Sequence, residues 1–456
     1  MSNANSGGVP RPTLTLADAI AMIVGIVIGA GIFRAPSIVA GSSSTEIVVI
    51  GLWVAGGAIS IVGALCYAEL GSAYPSAGGE YHFLSRAYGD KLGFLFAWAR
   101  MSVVQTGAIA AIAFVFADYA SQLVNLGANG SVIYAVMAVI GVTALNVIGT
   151  RESKMLQNVL TAALLLAMLA VIVAGFTASG APPAPAVVTA TAAASTSGPL
   201  FSQLALIFVL LAYGGWNEAA YLTAEMQDRR RNIVRALVIG LLIVTVIYVL
   251  LNVAYIKVLG LDGMKASKAL AADVMKLTFG NIGAGVLSII VIAASISTLN
   301  ATVFTGARTN YALGRDYDIF SRLGKWSEGA NAPIPALLTQ GAIALLLVLL
   351  SSFTPDGFET MVAYTSGAFW LFFLLTSISL FVLRRQKPDN EDHFKVPLYP
   401  LTPILFSAMC AFMLYSSVNY AMSKDPGSIG AFLGLGVLFA GIPLMLIAKK
   451  RSATAG

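Results

Sequence analysis

Two short stretches hold residues that suit their surroundings poorly. In GIVIGAGIFRAP, residues 25–36, Gly25, Gly29 and Gly31 lie inside an apolar run and are followed by Arg34 and Pro36. In LLAYGGWNEAAYLTAE, residues 210–225, Gly214 and Gly215 sit mid-run and are followed by Trp216, Asn217 and Glu218. Glycine costs a helix interior about 1 kcal/mol and proline about 3 kcal/mol, so both runs read as interrupted helices. An interruption frees amide N–H groups where the next segment begins, at the positive end of its dipole, and these suit a carboxylate. It also frees carbonyls where the preceding segment ends, and these suit an ammonium or a metal cation. A zwitterion of the amino-acid type fits both ends. Its α-groups then need no charged side chain, and its own side chain is read by whatever residues face it.

The elements that must position these groups are membrane helices. The chain has 456 residues, 58% hydrophobic and 11% charged, with a mean hydropathy of +0.83. Soluble domains carry about 25% charged residues, so the composition indicates an all-α integral membrane protein. Apolar windows of about 20 residues mark about twelve transmembrane helices. Lys and Arg gather at one set of connections, for example Arg86, Arg151, Arg229 to Arg231, Arg384 and Arg385, and at Lys449 to Arg451. The other set holds Lys257, Lys265, Lys268, Lys276 and Lys424. The positive-inside rule then puts both termini in the cytoplasm. The net charge of +6 is thereby a topology signal, and no nucleic-acid partner is expected. The two cysteines, Cys66 and Cys410, lie in apolar runs and offer no metal or disulfide framework.

The expected division is a cytoplasmic tail (1–13), a first five-helix unit (14–177), an uncharged external linker (178–199), a second five-helix unit (200–383), two further transmembrane helices (384–448) and a second cytoplasmic tail (449–456). The interrupted spans are the first and the sixth. An odd offset gives them opposite orientation, as an inverted repeat of five helices requires, and glycine-interrupted segments at matching places point to a midplane transport site. Glycine clusters also serve as packing points between membrane helices. Matching depth and the polar Asn217 and Glu218 set these two apart. Residues 263–278 show helical periodicity and read as a short helix over the external face, a candidate lid.

The motifs IGAGIF (28–33), AYGGWN (212–217), YAELGSAYPSAGGEY (67–81), IGTRESKMLQNVLTA (148–162), LNATVFTGARTNYALGRD (299–316) and FKVPLYP (394–400) stand in the order found in the amino acid–polyamine–organocation superfamily. The chain resembles its L-type amino acid transporter branch over nearly its whole length. That resemblance implies the LeuT-type fold, a five-plus-five inverted repeat with two added C-terminal helices, and amino acid transport by alternating access. It implies a substrate carboxylate on the N–H groups of Gly29, Ala30 and Gly31, with Ile32 beside them. It implies an ammonium on carbonyls of Val27, Ile28, Leu211 and Gly214, with Ala212 and Gly215 at the same interruption and Trp216 and Asn217 supporting it. The sequence departs from the family pattern at Ala30 (often serine), at Leu211 (usually aromatic) and at Leu164 (usually lysine in sodium-independent members). The last departure raises sodium coupling. Ala294, Ser297 and Thr298 share one helix face, and their oxygens with carbonyls of Gly25 and Ile28 match the sodium site of LeuT-type relatives. Ser297 and Thr298 could equally bond only to their own helix. No other cofactor is expected.

Charges at membrane depth are functional by default. Arg34 reads as an outer gate or a snorkelling side chain, Glu69 as structural or gating, and Asp118 as reaching water. Arg100 has no evident partner. Glu218 reads as a proton carrier, an arginine's partner or part of a substrate pocket. Enzymatic constellations such as HExxH or GxSxG are missing from the sequence, so the expectation is a transporter of neutral amino acids. Sodium symport, proton symport, obligatory exchange and a non-transporting sensor remain open. Animal L-type members join a heavy chain through a cysteine after the third helix. The loop LVNLGANGSV (123–132) has none, so no disulfide-linked heavy chain is expected. The short loops suggest a prokaryotic inner membrane.

Overall fold

A computed structural model describes residues 15–76, 79–148, 154–178, 203–218, 229–386, 388 and 392–448; of residues 154–158 and Arg229 only the backbone is described. The expected tails and nearly all of the linker lie outside the described residues.

The first interrupted span consists of α1 (Leu16–Val27) and α2 (Ala35–Gly41). Then follow α3 (Glu46–Ala73), α4 (Gly79–Tyr88), α5 (Asp90–Leu123), α6 (Gly130–Ile148) and α7 (Lys154–Thr177). The second half holds α8 (Gln203–Ala212), α9 (Arg229–Ala266), α10 (Leu270–Asp316), α11 (Ile334–Leu350), α12 (Gly357–Leu383), α13 (Leu401–Ala421) and α14 (Ser428–Ile447). Ten of these are long and apolar enough to cross a bilayer. Two shorter apolar helices, α1 and α8, are the first arms of the interrupted spans, which brings the described residues to the expected twelve.

Local chemistry sets the ends. Thr15 and Asp18 form a reciprocal capping box at the start of α1, Thr45 caps α3, and Asp356 caps α12 by accepting from the Glu359 amide at 3.0 Å. Gly260 (φ 64°) and Gly280 (φ 69°) kink α9 and α10, conformations that cost a side chain dearly. The arm between them, Leu270 to Phe279, is the helix expected over 263–278, and it packs down with Leu270, Ala271, Ala272 and Val274 buried. Its first turn is tied by Ser267, which accepts from the Ala269 amide and donates to Asp273.

Small residues decide how close the helices come. A Cβ on Gly56 of α3 would meet Val209 of α8 at 2.3 Å, one on Gly57 would meet Thr245 of α9 at 2.2 Å, and one on Gly63 would meet Phe406 of α13 at 2.5 Å. In lipid, where apolar faces gain nothing by hiding from the solvent, such close backbone approach supplies the packing. It presses α8 and the residues after it against α3, which is where the second interruption lies.

Candidate functional site

The helix of α1 stops at Val27. Ile28 has φ −77° and ψ 85°, and the Gly29 amide donates to the Val27 carbonyl at 2.9 Å, an inverse γ-turn. Gly29 itself is extended, and a 3-10 turn over Ala30–Phe33 leads to Arg34 and then to α2, with Pro36 in its first turn. The Gly29 amide is therefore occupied within the chain. The amides that open the next segment belong to Ala30, Gly31 and Ile32, the positions without an intrahelical acceptor. A Cβ built on Gly29 or Gly31 would meet no atom within 4 Å. Gly25 lies within α1 and faces Thr161 of α7.

The second interruption follows α8. Gly214 donates to the Leu211 carbonyl at 2.8 Å, Gly215 takes φ +108°, and Trp216–Glu218 form a 3-10 turn closed by the Glu218 amide on the Gly215 carbonyl at 2.9 Å. A Cβ on Gly215 would stand 3.0 Å from the Ile26 carbonyl. The two interruptions thus touch through main chain, and only glycine permits both the φ and the approach. Trp216 is held against Tyr67, Phe373 and Phe406, with ring centroids 5.1, 5.6 and 6.1 Å apart. Residues 219–228 lie outside the described residues.

One side chain joining the two interruptions is not evident from the sequence. The Tyr248 hydroxyl of α9 lies 3.1 Å from the Val27 carbonyl and 3.1 Å from the Ala212 carbonyl, so it can donate to either. Its ring packs against Trp53 and Tyr213, and the Tyr213 hydroxyl donates to the Trp53 carbonyl at 2.8 Å. A tyrosine in VTVIYVLLNVAY looks like any aromatic of an apolar helix, and no local signal marks it. The carbonyls named in the sequence reading are thus partly engaged: Val27 by Gly29 and Tyr248, Leu211 by Gly214. The Leu211 carbonyl retains capacity for a second donor, and so does that of Val27 when Tyr248 donates to Ala212. Leu211 is half-buried, and Ala212 is buried.

Beyond the first interruption, Arg34 is 3% exposed and held by three elements. Its Nε donates to Asp118 of α5 at 3.1 Å, one terminal nitrogen donates to Ser37 at 2.7 Å, and the other reaches the carboxylate of Asp356. This corrects two expectations. Asp118 is buried rather than open to water, and Arg34 does not snorkel. A guanidinium at depth is stable when its fork is filled by carboxylates. Tyr119, next to Asp118, donates to the Phe33 carbonyl at 3.3 Å and closes the same end.

On the other side of the interruptions stands a second arginine. A π turn over Arg100–Val104 in α5 carries Arg100, whose carbonyl accepts from the Gln105 amide. Its guanidinium lies 3.3 Å from Glu218 and 4.0 Å from Glu80 of α4. Arg100, expected without a partner, has two. Of the roles open to Glu218, pairing with an arginine is the one the geometry displays. Glu80 was not singled out in the sequence; it accepts from the Tyr67 hydroxyl at 2.6 Å and from Asn217 at 3.5 Å.

Glu69 forms a third site at the same end as Arg100. It accepts from two nitrogens of Arg384 and, at 2.7 Å, from the Val396 amide, tying α3 to the segment between α12 and α13. A cavity of about 460 Å³ opens beside it, lined by Glu69, Tyr74, Leu383, Arg384, His393 and Lys395 among others; no residue of either interruption lines it. Leu164 is buried, as are Ala294 and Ser297, and the Thr298 hydroxyl donates to the Ala294 carbonyl at 3.0 Å. Among the described residues no group of three His, Cys, Asp or Glu side chains could hold a metal.

Interrupted first and sixth spans that meet through main chain, inside a bundle of membrane helices, define a permease rather than an enzyme. The chain belongs to the amino acid permease family, whose model matches residues 14–438. It is 33% identical over 402 residues to the b(0,+)-type amino acid transporter 1 of Mus musculus, covering 86% of this chain and 80% of that protein. It is 31% identical over 457 residues to the large neutral amino acids transporter small subunit 2 of Homo sapiens, covering 98% and 82%. To the serine/threonine exchanger SteT of Bacillus subtilis (strain 168) it is 28% identical over 451 residues, covering 97% and 98%. These relatives bear out the resemblance to the L-type branch.

Proposed function

We propose that this permease carries neutral amino acids across a bacterial inner membrane by alternating access, with its basic connections in the cytoplasm. The observation that carries this reading is the contact of two interrupted helices, joined by Tyr248 and leaving space over Gly29 and Gly31. In it, the substrate carboxylate meets the amides of Ala30, Gly31 and Ile32, and the ammonium meets remaining carbonyl lone pairs at Val27, Ile28, Leu211 and Gly214. The five-plus-five inverted repeat is part of the same reading, because the interruptions fall in spans five apart. Among the described residues no ionised side chain is bonded to these groups, which favours neutral substrates. The Arg34 clamp serves as the outer gate. Similarity to an exchanger that covers nearly the whole chain favours exchange as the mode of turnover. Both cysteines are buried, which supports function without a disulfide-linked heavy chain.

Sodium coupling is the second reading. The burial of Ala294 and Ser297 and the bond between Thr298 and the Ala294 carbonyl gather neutral oxygens on one face of α10, and a threonine that donates can still accept a cation. A thermal-shift screen of the twenty amino acids, with sodium or choline, followed by counterflow in proteoliposomes, tests both readings. Counterflow of a neutral amino acid is the expected result; binding without flux would make the protein a sensor. A sodium requirement lost in Thr298→Ala would establish the second reading.

A further inference from the structure

Glu80 is a buried carboxyl that the transport reading leaves without a task. Its side chain is 5% exposed, at the second position of α4 and outside the membrane spans. The groups that face it come from three elements. Tyr67 of α3 donates to one oxygen at 2.6 Å, Asn217 approaches that oxygen at 3.5 Å, and Arg100 of α5 stops 4.0 Å from the other. The same guanidinium lies nearer to Glu218, at 3.3 Å, and the Glu218 side chain is 40% exposed. Helix α12 also packs on α4, but its ionisable groups are engaged elsewhere. Glu359 accepts from Tyr420, and Tyr364 donates to the Ser102 carbonyl. Tyr81, beside Glu80, reaches Asp316 at 3.5 Å.

One guanidinium cannot fully balance two carboxylates, and the one held farther away in a dry site favours its proton. Burial pushes Glu80 from 4.5 up to about 7; Tyr67, Arg100 and Asn217 oppose the rise, and the charge of Glu218 adds to it. Asn217 and Glu218 both belong to the second interruption, so movement of that segment changes both contacts at once. With Glu218 on Arg100, as here, the acid form of Glu80 is favoured. With Glu218 withdrawn, Arg100 can turn to Glu80, and the carboxylate is favoured. We propose that Glu80 is a proton-binding site of the transport cycle, loaded and emptied as Arg100 changes partner between Glu218 and Glu80. One proton passes from water to a Glu80 oxygen and back; no other bond changes.

The proposal rests on the alternating-access reading, because it needs the interruption to move. The test uses the full chain in proteoliposomes, with counterflow of a labelled neutral amino acid measured from pH 5.5 to 8 and a pH dye in the lumen. For a carboxyl with a midpoint near 7, the protonated fraction falls about tenfold over that range, and wild-type flux should follow it, while net uptake into substrate-free vesicles should acidify the lumen. Glu80→Gln, a mimic of the acid form, should keep counterflow while losing the pH profile and the acidification. Glu218→Gln removes the carboxylate that competes with Glu80 for Arg100 and should move the midpoint toward acid. A wild type whose counterflow ignores pH overturns the proposal. So does a Glu80→Gln protein that keeps the wild-type profile, or one that still binds amino acid in a thermal shift but shows no counterflow at any pH. Should Glu80→Gln fail to fold, the Glu218→Gln midpoint decides alone, an unmoved or alkaline midpoint being the contrary result. A wild type that binds but never exchanges removes the transport reading itself.

Discussion

Arg34 and Arg100 each stand between two carboxylates, one on either side of the interruptions, and their surroundings differ. Arg34 is buried with its fork filled, by Asp118 at 3.1 Å, by Ser37 at 2.7 Å and by Asp356. Asp356 also caps α12, so releasing the arginine disturbs a helix end as well. Arg100 sits on a π turn, holds its nearer partner at 3.3 Å, and stops 4.0 Å short of the other. Its nearer partner is the more exposed of the two. The same three charges therefore make a fixed clamp at one place and a contact with a ready alternative at the other. What differs is how closely the carboxylates approach the guanidinium and whether they lie on settled helices or on an interrupted one.

The comparison can be broken most forcefully at Arg34. Arg34→Ala leaves the buried Asp118 and the half-buried Asp356 without their cation, and removing one partner of a buried pair costs about 3–5 kcal/mol. Denaturation should show that loss, and counterflow should vanish; a variant with wild-type flux and melting would show that the clamp does nothing. Gly215→Val acts between the two arginines. Its φ of +108° and the Ile26 carbonyl at 3.0 Å exclude a side chain, and a backbone so forced costs about 1–3 kcal/mol. Substrate affinity should fall with stability, since the carbonyls on both interruptions shift. Tyr248→Phe removes a hydrogen bond worth about 1 kcal/mol and should weaken substrate binding several-fold while leaving the pH profile intact.

A subtler contrast is the pH dependence of folding. Glu80 has its folded value raised from 4.5 to about 7, so its contribution to stability is complete below 4.5 and lost as pH rises through about 7. Melting temperature should decline across that window, and Glu80→Gln should flatten the decline. The smallest effect belongs to Arg230 and Asp392, an exposed pair at 2.8 Å. Arg230→Ala should change stability by about 0–1 kcal/mol; a larger loss in denaturation would mean that exposure is a poor guide to the two buried sites as well.

Much of the architecture was legible because it depends on local terms. Apolar length marks a span, and glycine or proline inside one marks a break, whatever lies nearby. The stops at Val27 and Ala212 and the helix between Gly260 and Gly280 follow from such terms. Hydrogen-bond economy at the breaks was less legible. That the Gly29 amide turns back to Val27 depends on φ and ψ at Ile28, which the residue type leaves open. Asp118 was misplaced in water for a related reason. Its position near the end of α5 is a sequence fact, but its burial comes from elements far along the chain.

The sequence by itself determined the class of protein, the number of spans and the two places where helix had to yield to bare main chain, since composition and backbone cost act over a few residues. Only the tertiary structure decided that Arg34 joins Asp118 and Asp356, 84 and 322 residues away, that one tyrosine hydroxyl serves both interruptions, and that Glu80 shares Arg100 with Glu218. Charges and hydroxyls choose partners by distance and burial, and both arise only when the helices pack.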